Sequence, residues 1–132
     1  MSWLITILMH PITLVGLGGA IGSNARYWIG VWFRAQPWAK EYTWGTFVIN
    51  VSGSLLLGIV ATMFKDRYGP GFLLLGTGFC GGFTTFSTFA FETVRLSEEN
   101  RSRGAVTNVA MSVVFGLVAV AVGWQLATTA LH

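Results

Sequence analysis

Charged residues are scarce in this sequence. Asp, Glu, Lys and Arg make up 10% of its 132 residues, against about 25% in an average soluble domain. Hydrophobic residues make up 53%, and a small soluble domain needs more polar surface than that to cover its core. An aromatic content of 14% is the opposite of what disordered chains show. The composition therefore argues against a soluble enzyme and against disorder, and it indicates an integral membrane protein.

Residues that form disulfides or bind metals are also few. The single cysteine, Cys80, excludes an internal disulfide and any CxxC motif. The two histidines, His10 and His132, stand near the chain ends, which argues against a histidine-based metal site in the interior. The basic residues form no block with interleaved aromatic residues, so the sequence predicts no nucleic-acid partner.

Long uncharged runs are what the sequence does contain. No charged residue lies in 42–64, 68–91 or 104–132, and none precedes Arg26. A helix needs about 20 largely apolar residues to cross the hydrocarbon core, and it satisfies its own backbone there. We therefore predict an all-α integral membrane protein, multi-pass in the cell membrane, with a single four-helix transmembrane domain over residues 1–132. The spans are expected at about 11–33, 43–64, 72–94 and 104–129.

The loops between these spans carry the basic residues. Those after the first and third spans hold five, Arg34, Lys40, Arg95, Arg101 and Arg103, and the middle loop holds two, Lys65 and Arg67. The excess favours both termini outside, but a difference of this size fixes no single orientation.

Small and polar residues inside the first two spans indicate close helix contacts. Gly18 and Gly22 are four residues apart, as in a small-xxx-small packing face. Arg26 follows one turn later, and such a charge either snorkels to the headgroups or faces protein or water. In the second span, Asn50 must face a partner helix or a wet path, because a lone buried amide is costly. It belongs to a stripe spaced by four: Thr46, Asn50, Ser54, Gly58 and Thr62.

The third span has the pattern of a broken helix. Gly81 and Gly82 are adjacent in mid-membrane and are poor helix formers. A break there frees carbonyls, which suit a cation, and amide N–H groups, which suit an anion. Phe86 and Phe89 share a face, where they either contact a small anion through their ring edges or pack against lipid or core. A four-residue repeat in the last span fits packing equally well: Asn108, Ser112 and Gly116.

Three motifs together resemble a known family. The third span carries Gly81-Gly82-Phe83-Thr84-Thr85-Phe86-Ser87-Thr88-Phe89, with Glu92 three residues on. The second carries Gly45-Thr46-x-x-x-Asn50-x-x-Gly53, and the first carries Gly18-Gly19-x-x-Gly22-x-x-x-Arg26-Tyr27. In this order and over nearly the whole chain, they resemble the small fluoride channels (Fluc, also called CrcB).

The resemblance implies a four-helix protomer in an antiparallel, dual-topology homodimer that passively exports cytoplasmic fluoride and so protects against its toxicity. It implies two fluoride pores at the dimer interface. It also implies a central sodium ion held by backbone carbonyls of Gly81 and Thr84 from both chains, with Arg26 and Glu92 in vestibule or structural positions. The pore residues carried over from the family are Asn50, Phe86, Ser87, Thr88 and Phe89, with Ser112 on the fourth helix.

The chemistry of the polar residues agrees with passive flow of an anion. Fluoride holds water tightly, and Asn50, Ser87 and Thr88 supply N–H and O–H donors without titrating. The leading alternative is a small dual-topology, proton-coupled drug antiporter. That chemistry needs a carboxylate deep in a span, whereas Glu92 stands near the end of the third span. A non-transporting assembly subunit would leave the polar, broken span unexplained, and a membrane enzyme would lack a nucleophile–base pair.

Overall fold

The computed structural model describes residues 1–40 and 42–131, and helix is the only regular secondary structure within them. The all-α prediction is confirmed for these residues, and His132 lies outside them. In chain order the helices are α1 (Ser2–Leu8), α2 (Pro11–Ala35), α3 (Trp44–Met63), α4, α5 (Phe86–Glu98) and α6 (Ser102–Ala130). Helix α4 is made of Pro70–Phe72, a π-helical stretch over Leu73–Cys80, and Gly81–Phe83.

Prolines set where two of these helices begin. Pro11 opens α2 and Pro70 opens α4, at the first helical position, where proline's missing N–H costs no hydrogen bond. His10 caps α2 by accepting a hydrogen bond from the Ile12 N–H at 3.3 Å. The chain bends by 57° between α1 and α2 at this point.

Several helices are suited to a membrane. By length and composition, the segments Trp44–Met63, Pro70–Glu98 and Ser102–Ala130 can each cross one, and α1 with α2 makes a fourth if the bent pair is one span. Large apolar side chains face outward along α2 and α6, where a soluble protein would place polar ones: Trp28, Trp32, Val106, Leu117 and Leu126 among them. This outer surface suits contact with lipid.

Glycines let the helices approach closely along two seams. A methyl group at Gly22 would collide with the Phe79 carbonyl of α4, and one at Gly18 would collide with the Leu74 carbonyl. Between α3 and α6, a methyl at Gly58 would meet the Val120 carbonyl in the same way. The predicted packing role of Gly18 and Gly22 is therefore confirmed.

The third membrane segment is broken, but not where the glycines predicted. Gly81 and Gly82 lie in helical geometry, and Gly82 packs against the Gly19 backbone of α2. The chain becomes extended at Thr84 (φ −78°, ψ 160°) and Thr85 (φ −145°, ψ 123°). The prediction of a break at Gly81-Gly82 is therefore wrong by about one turn, because both glycines keep helical geometry and Gly82 serves the contact with α2.

Candidate functional site

Asn50 of α3 holds the break open. Its Nδ2 donates to the Thr85 carbonyl at 2.9 Å, and the Thr85 N–H donates to its Oδ1 at 2.8 Å. This two-point contact resembles one rung of a β-ladder, so it replaces the helical hydrogen bonds that Thr85 would otherwise make. An amide nitrogen carries two protons, so the contact leaves Asn50 one N–H to offer elsewhere.

The N-terminus of α5 starts immediately after this contact. The Thr85 hydroxyl accepts from the Thr88 N–H at 3.3 Å, as an N-cap residue does, and donates to the Thr88 Oγ1 at 3.1 Å. The Ser87 Oγ lies 3.3 Å from the same hydroxyl. The first amides of a helix have no intrahelical acceptors and carry a partial positive charge. The break therefore places N–H and O–H donors together in the interior of the membrane segment.

Two carbonyls lose their helical donors at the break. The Gly81 carbonyl would normally accept from the Thr85 N–H, which is bound to Asn50 instead. The Thr84 carbonyl would accept from Thr88, whose N–H is bound to the Thr85 hydroxyl. Carbonyl oxygens are hard ligands, and these two fit a hard cation such as sodium. Thr84 O also accepts from the Arg26 guanidinium at 3.4 Å, so Gly81 O is the freer of the two.

One cavity, of about 600 Å³, lies on the phenylalanine side of the break. The Phe86 and Phe89 rings stand 5.8 Å apart and are tilted by 50°, and Phe86 is 79% exposed. The structure brings six of the predicted site residues together around this space: Asn50, Gly81, Thr84, Phe86, Phe89 and Ser112. The cavity opens onto the surface of the single chain, because Gly81 and Phe86 are exposed there.

A second cavity, of about 730 Å³, lies on the other side of the Asn50–Thr85 contact. Three more predicted residues line it: Arg26, Thr88 and Glu92. Four cationic side chains face it against one described carboxylate, so its potential favours anions: Arg26, Arg34, Lys40 and Arg95. Thr85 lines both cavities and thus forms part of the wall between them.

Two polar atoms at this second cavity are buried without a partner among the described residues. The Glu92 Oε1 accepts from the Thr46 hydroxyl at 2.9 Å, but Oε2 has no partner. The Tyr42 hydroxyl is the other such atom. Burial, and to a smaller extent the Glu92 carboxylate, raises the pKa of Tyr42 above its ordinary value. Tyr42 therefore stays a protonated donor at neutral pH.

The structure does not bring all the predicted site residues to the two cavities. Ser87 lines neither cavity and is exposed, with its hydroxyl near that of Thr85. Sequence reasoning missed Thr85, the residue at the centre of the arrangement. Its signal was present, because a threonine directly before the first apolar residue of a helical run is typical of an N-cap. Tyr42 and Arg95 were missed because nothing local marks a loop residue or a helix end as facing a cavity.

Known proteins align with most of this chain. The family described as CrcB-like protein, Camphor Resistance (CrcB), matches residues 13–124. A relative from Chloroflexus aurantiacus, named fluoride-specific ion channel FluC, is 42% identical over 118 residues, which cover 87% of this chain and 93% of the relative. A relative from Symbiobacterium thermophilum, named fluoride-specific ion channel FluC 1, is 38% identical over 121 residues, covering 84% and 95%. A third, from Rhodospirillum rubrum and named fluoride-specific ion channel FluC, is 40% identical over 116 residues, covering 83% and 88%.

Proposed function

The chain belongs to the CrcB family, and on that premise we propose that it is a fluoride-specific ion channel in the cell membrane. It is a multi-pass membrane protein, and the family is one of ion channels rather than enzymes. The observation that carries the proposal is the break at Thr84–Thr85. There the start of α5 and the amide of Asn50 offer donors between a cation-lined cavity and an aromatic one.

The site supplies what a dehydrating fluoride ion needs. The cationic side chains of the second cavity raise the local concentration of anions. At the wall between the cavities, the spare N–H of Asn50 and the hydroxyl of Thr88 replace water as donors. On the far side, the ring edges of Phe86 and Phe89 carry positive quadrupole density toward the path, and Ser112 adds a hydroxyl. Ser87 lines neither cavity of the single chain, and its hydroxyl stands 3.3 Å from that of Thr85 at the start of α5.

Flow through such a path is passive. Its donors are an amide and hydroxyls, which do not change charge in the physiological range. A narrow, donor-lined path under an inside-negative potential lets cytoplasmic fluoride out and excludes chloride, whose larger size does not fit. This export protects the cell against fluoride that enters as HF and ionises inside.

The complete channel is an antiparallel homodimer with two pores. The first cavity is open in the single chain, and a second copy of the chain would close it over Gly81 and Phe86. Gly81 and Thr84 line this cavity and their carbonyls lack helical donors, so two chains would together have four such oxygens for one sodium ion. As hard ligands, these oxygens would suit a sodium ion, whose charge would offset the negative ends of their dipoles. The chain itself positions the ligands, through Asn50 and the cap of α5.

Fluoride efflux from liposomes that contain the purified protein tests this function. We expect rapid, electrogenic fluoride efflux with little chloride flux and without a proton gradient. Empty liposomes are the baseline. Equal fluoride and chloride rates would contradict the proposal, and a strict requirement for a proton gradient would favour the antiporter.

A further inference from the structure

Asn108 of α6 is the most buried polar side chain among the described residues, with 1% of its surface exposed. Its Oδ1 accepts a hydrogen bond from the Thr43 hydroxyl at 2.7 Å, and its Nδ2 donates to the Thr93 hydroxyl at 2.9 Å. The Thr93 hydroxyl in turn donates to the Phe89 carbonyl at 2.8 Å. A directed chain of hydrogen bonds therefore runs from the entrance of α3, through Asn108, to the backbone of Phe89.

Helix α5 needs such lateral support. It is 13 residues long, it starts from an extended break rather than from a preceding helix, and Leu96 is its one fully buried residue. At its start, α5 is tied to α3 by the Asn50–Thr85 contact, and at its middle by the Thr46–Glu92 hydrogen bond. Among the described residues, the Asn108–Thr93 hydrogen bond ties α5 to α6 through side chains. Buried hydrogen bonds of this kind fix position because a broken one leaves a desolvated group unpaired.

We propose that Asn108 is a positioning residue for conduction, which acts through Thr93 to hold Phe89 at the first cavity. The inference rests on the proposed function, since Phe89 matters only if the cavity conducts. Asn108 lines neither cavity, so it does not touch the ion. The Thr93 hydroxyl bonds the Phe89 carbonyl one turn before it, so displacement of Thr93 moves the backbone that carries the ring.

The test uses a pair of variants at Thr93, with an exposed threonine of α6 as the control. Thr93→Val keeps the shape and removes the hydroxyl, whereas Thr93→Ser keeps the hydroxyl. Thr107→Val is the matched control, because the exposed Thr107 hydroxyl bonds only the Arg103 carbonyl of its own helix at 2.8 Å. We expect Thr93→Val to lower fluoride flux at least about threefold, and Thr93→Ser and Thr107→Val to stay within about twofold of the parent.

A double-mutant cycle with Phe89→Ile separates positioning from general packing. If Thr93 acts through Phe89, adding Thr93→Val to Phe89→Ile lowers flux by less than about twofold further. Multiplicative losses would overturn the proposal, because they mean that Thr93 and Phe89 act independently. Failure of Thr93→Ser to restore flux would overturn it as well, since the hydroxyl would then not be the active group.

Hydrogen exchange of the amides provides a measurement that does not depend on transport. We expect faster exchange across Phe86–Glu98 in Thr93→Val and in Asn108→Leu, with Trp44–Met63 unchanged in Thr93→Val. Unchanged amide exchange in α5 would overturn the positioning role of Asn108 and Thr93, even if fluoride flux fell. If exchange rises but Phe89→Ile conducts like the parent, the pore role of Phe89 is what fails, and the functional part of this inference falls with it.

Discussion

At the residue scale, Asn50 combines two tasks that sequence patterns present as alternatives. Its amide pairs with both backbone groups of Thr85, which is a structural contact between helices. The same amide keeps one N–H free on the wall of the first cavity. The choice between helix packing and a polar path is therefore not exclusive, because one side chain fixes the break and still has a donor for an ion.

Asn50→Asp tests this double role. The carboxylate can still accept from the Thr85 N–H, but it loses the donor to the Thr85 carbonyl and adds negative charge on the path of an anion. We expect fluoride efflux from liposomes to fall at least about tenfold, equivalent to about 1.4 kcal/mol. Ser54→Ala is the control, because the Ser54 hydroxyl lines the same cavity but bonds the Asn50 carbonyl within its own helix. A folded, dimeric Asn50→Asp protein that conducts normally would make Asn50 a packing residue only.

The two phenylalanines allow a test of ring chemistry against bulk. Isoleucine keeps the apolar volume at Phe86 or Phe89 but removes the positive ring edge, which is worth roughly 0.5–1.5 kcal/mol in aromatic pairs. We expect either substitution to cut fluoride flux from liposomes several-fold, while the variant elutes from a size-exclusion column at the same volume as the parent. Phe91→Ile is the matched control, since Phe91 is exposed and lines neither cavity. Equal damage from Phe91→Ile would mean that general packing is responsible.

At the element scale, the sequence predicted that the third segment is broken but misplaced the break. The local signal was the low helix propensity of Gly81 and Gly82, and the helix does end within about one turn of them. Gly82 is used for the close approach of α4 to α2, which no pattern within the third segment alone reveals, and Gly81 keeps helical geometry beside it. The break lies at Thr85 because a residue 35 positions away, Asn50, captures its backbone. Long-range hydrogen bonds of this kind decide where a helix ends, whereas propensity indicates only the neighbourhood.

Other elements were predictable because local sequence, not long-range contacts, determines them. Long uncharged runs set the helices, and α3, at Trp44–Met63, follows the run predicted at about 43–64. The cationic second cavity was not predictable, because Arg34 and Lys40 lie around the end of α2 whereas Arg95 lies in α5, far along the chain. Single charges near span ends look like ordinary loop charges until the fold brings them together.

The glycine seam between α2 and α4 gives a prediction about stability. A methyl group at Gly22 collides with the Phe79 carbonyl, which is backbone and cannot rotate away. We expect Gly22→Ala to destabilise the protein by roughly 1–3 kcal/mol, as overpacking does. Gly16→Ala is the control on the same helix, because a methyl there meets nothing within 4 Å. Thermal unfolding in detergent measures the stability of both variants. Equal melting temperatures for Gly22→Ala and Gly16→Ala would contradict the close contact between α2 and α4 at Gly22.

At the scale of the whole molecule, one face of the single chain has an open cavity and a backbone carbonyl without its helical donor. The first cavity is open, Phe86 is 79% exposed, and Gly81 presents a carbonyl without its helical donor. An exposed phenylalanine can pack against lipid, but lipid cannot hydrogen-bond the Gly81 carbonyl. A second copy that closes the cavity and a cation that binds this carbonyl would satisfy it, which is the physical basis for the proposed dimer and its sodium ion.

Gly81→Ala tests that arrangement without disturbing the single chain. A methyl at Gly81 meets nothing within 4 Å of its own chain, so the protomer should fold as before. If a second copy and a sodium ion sit against this residue, the methyl has no room, and a smaller dimer fraction at low protein density should follow. Replacing sodium by a large organic cation should also lower the dimer fraction of the parent protein, because the converging carbonyls then lack a counter-charge. Gly16→Ala, which is equally free in the single chain, is the control and should keep the parent's dimer fraction. Photobleaching counts of labelled protein in liposomes give this fraction, and a Gly81→Ala protein that dimerises like the parent would place the partner's contact elsewhere.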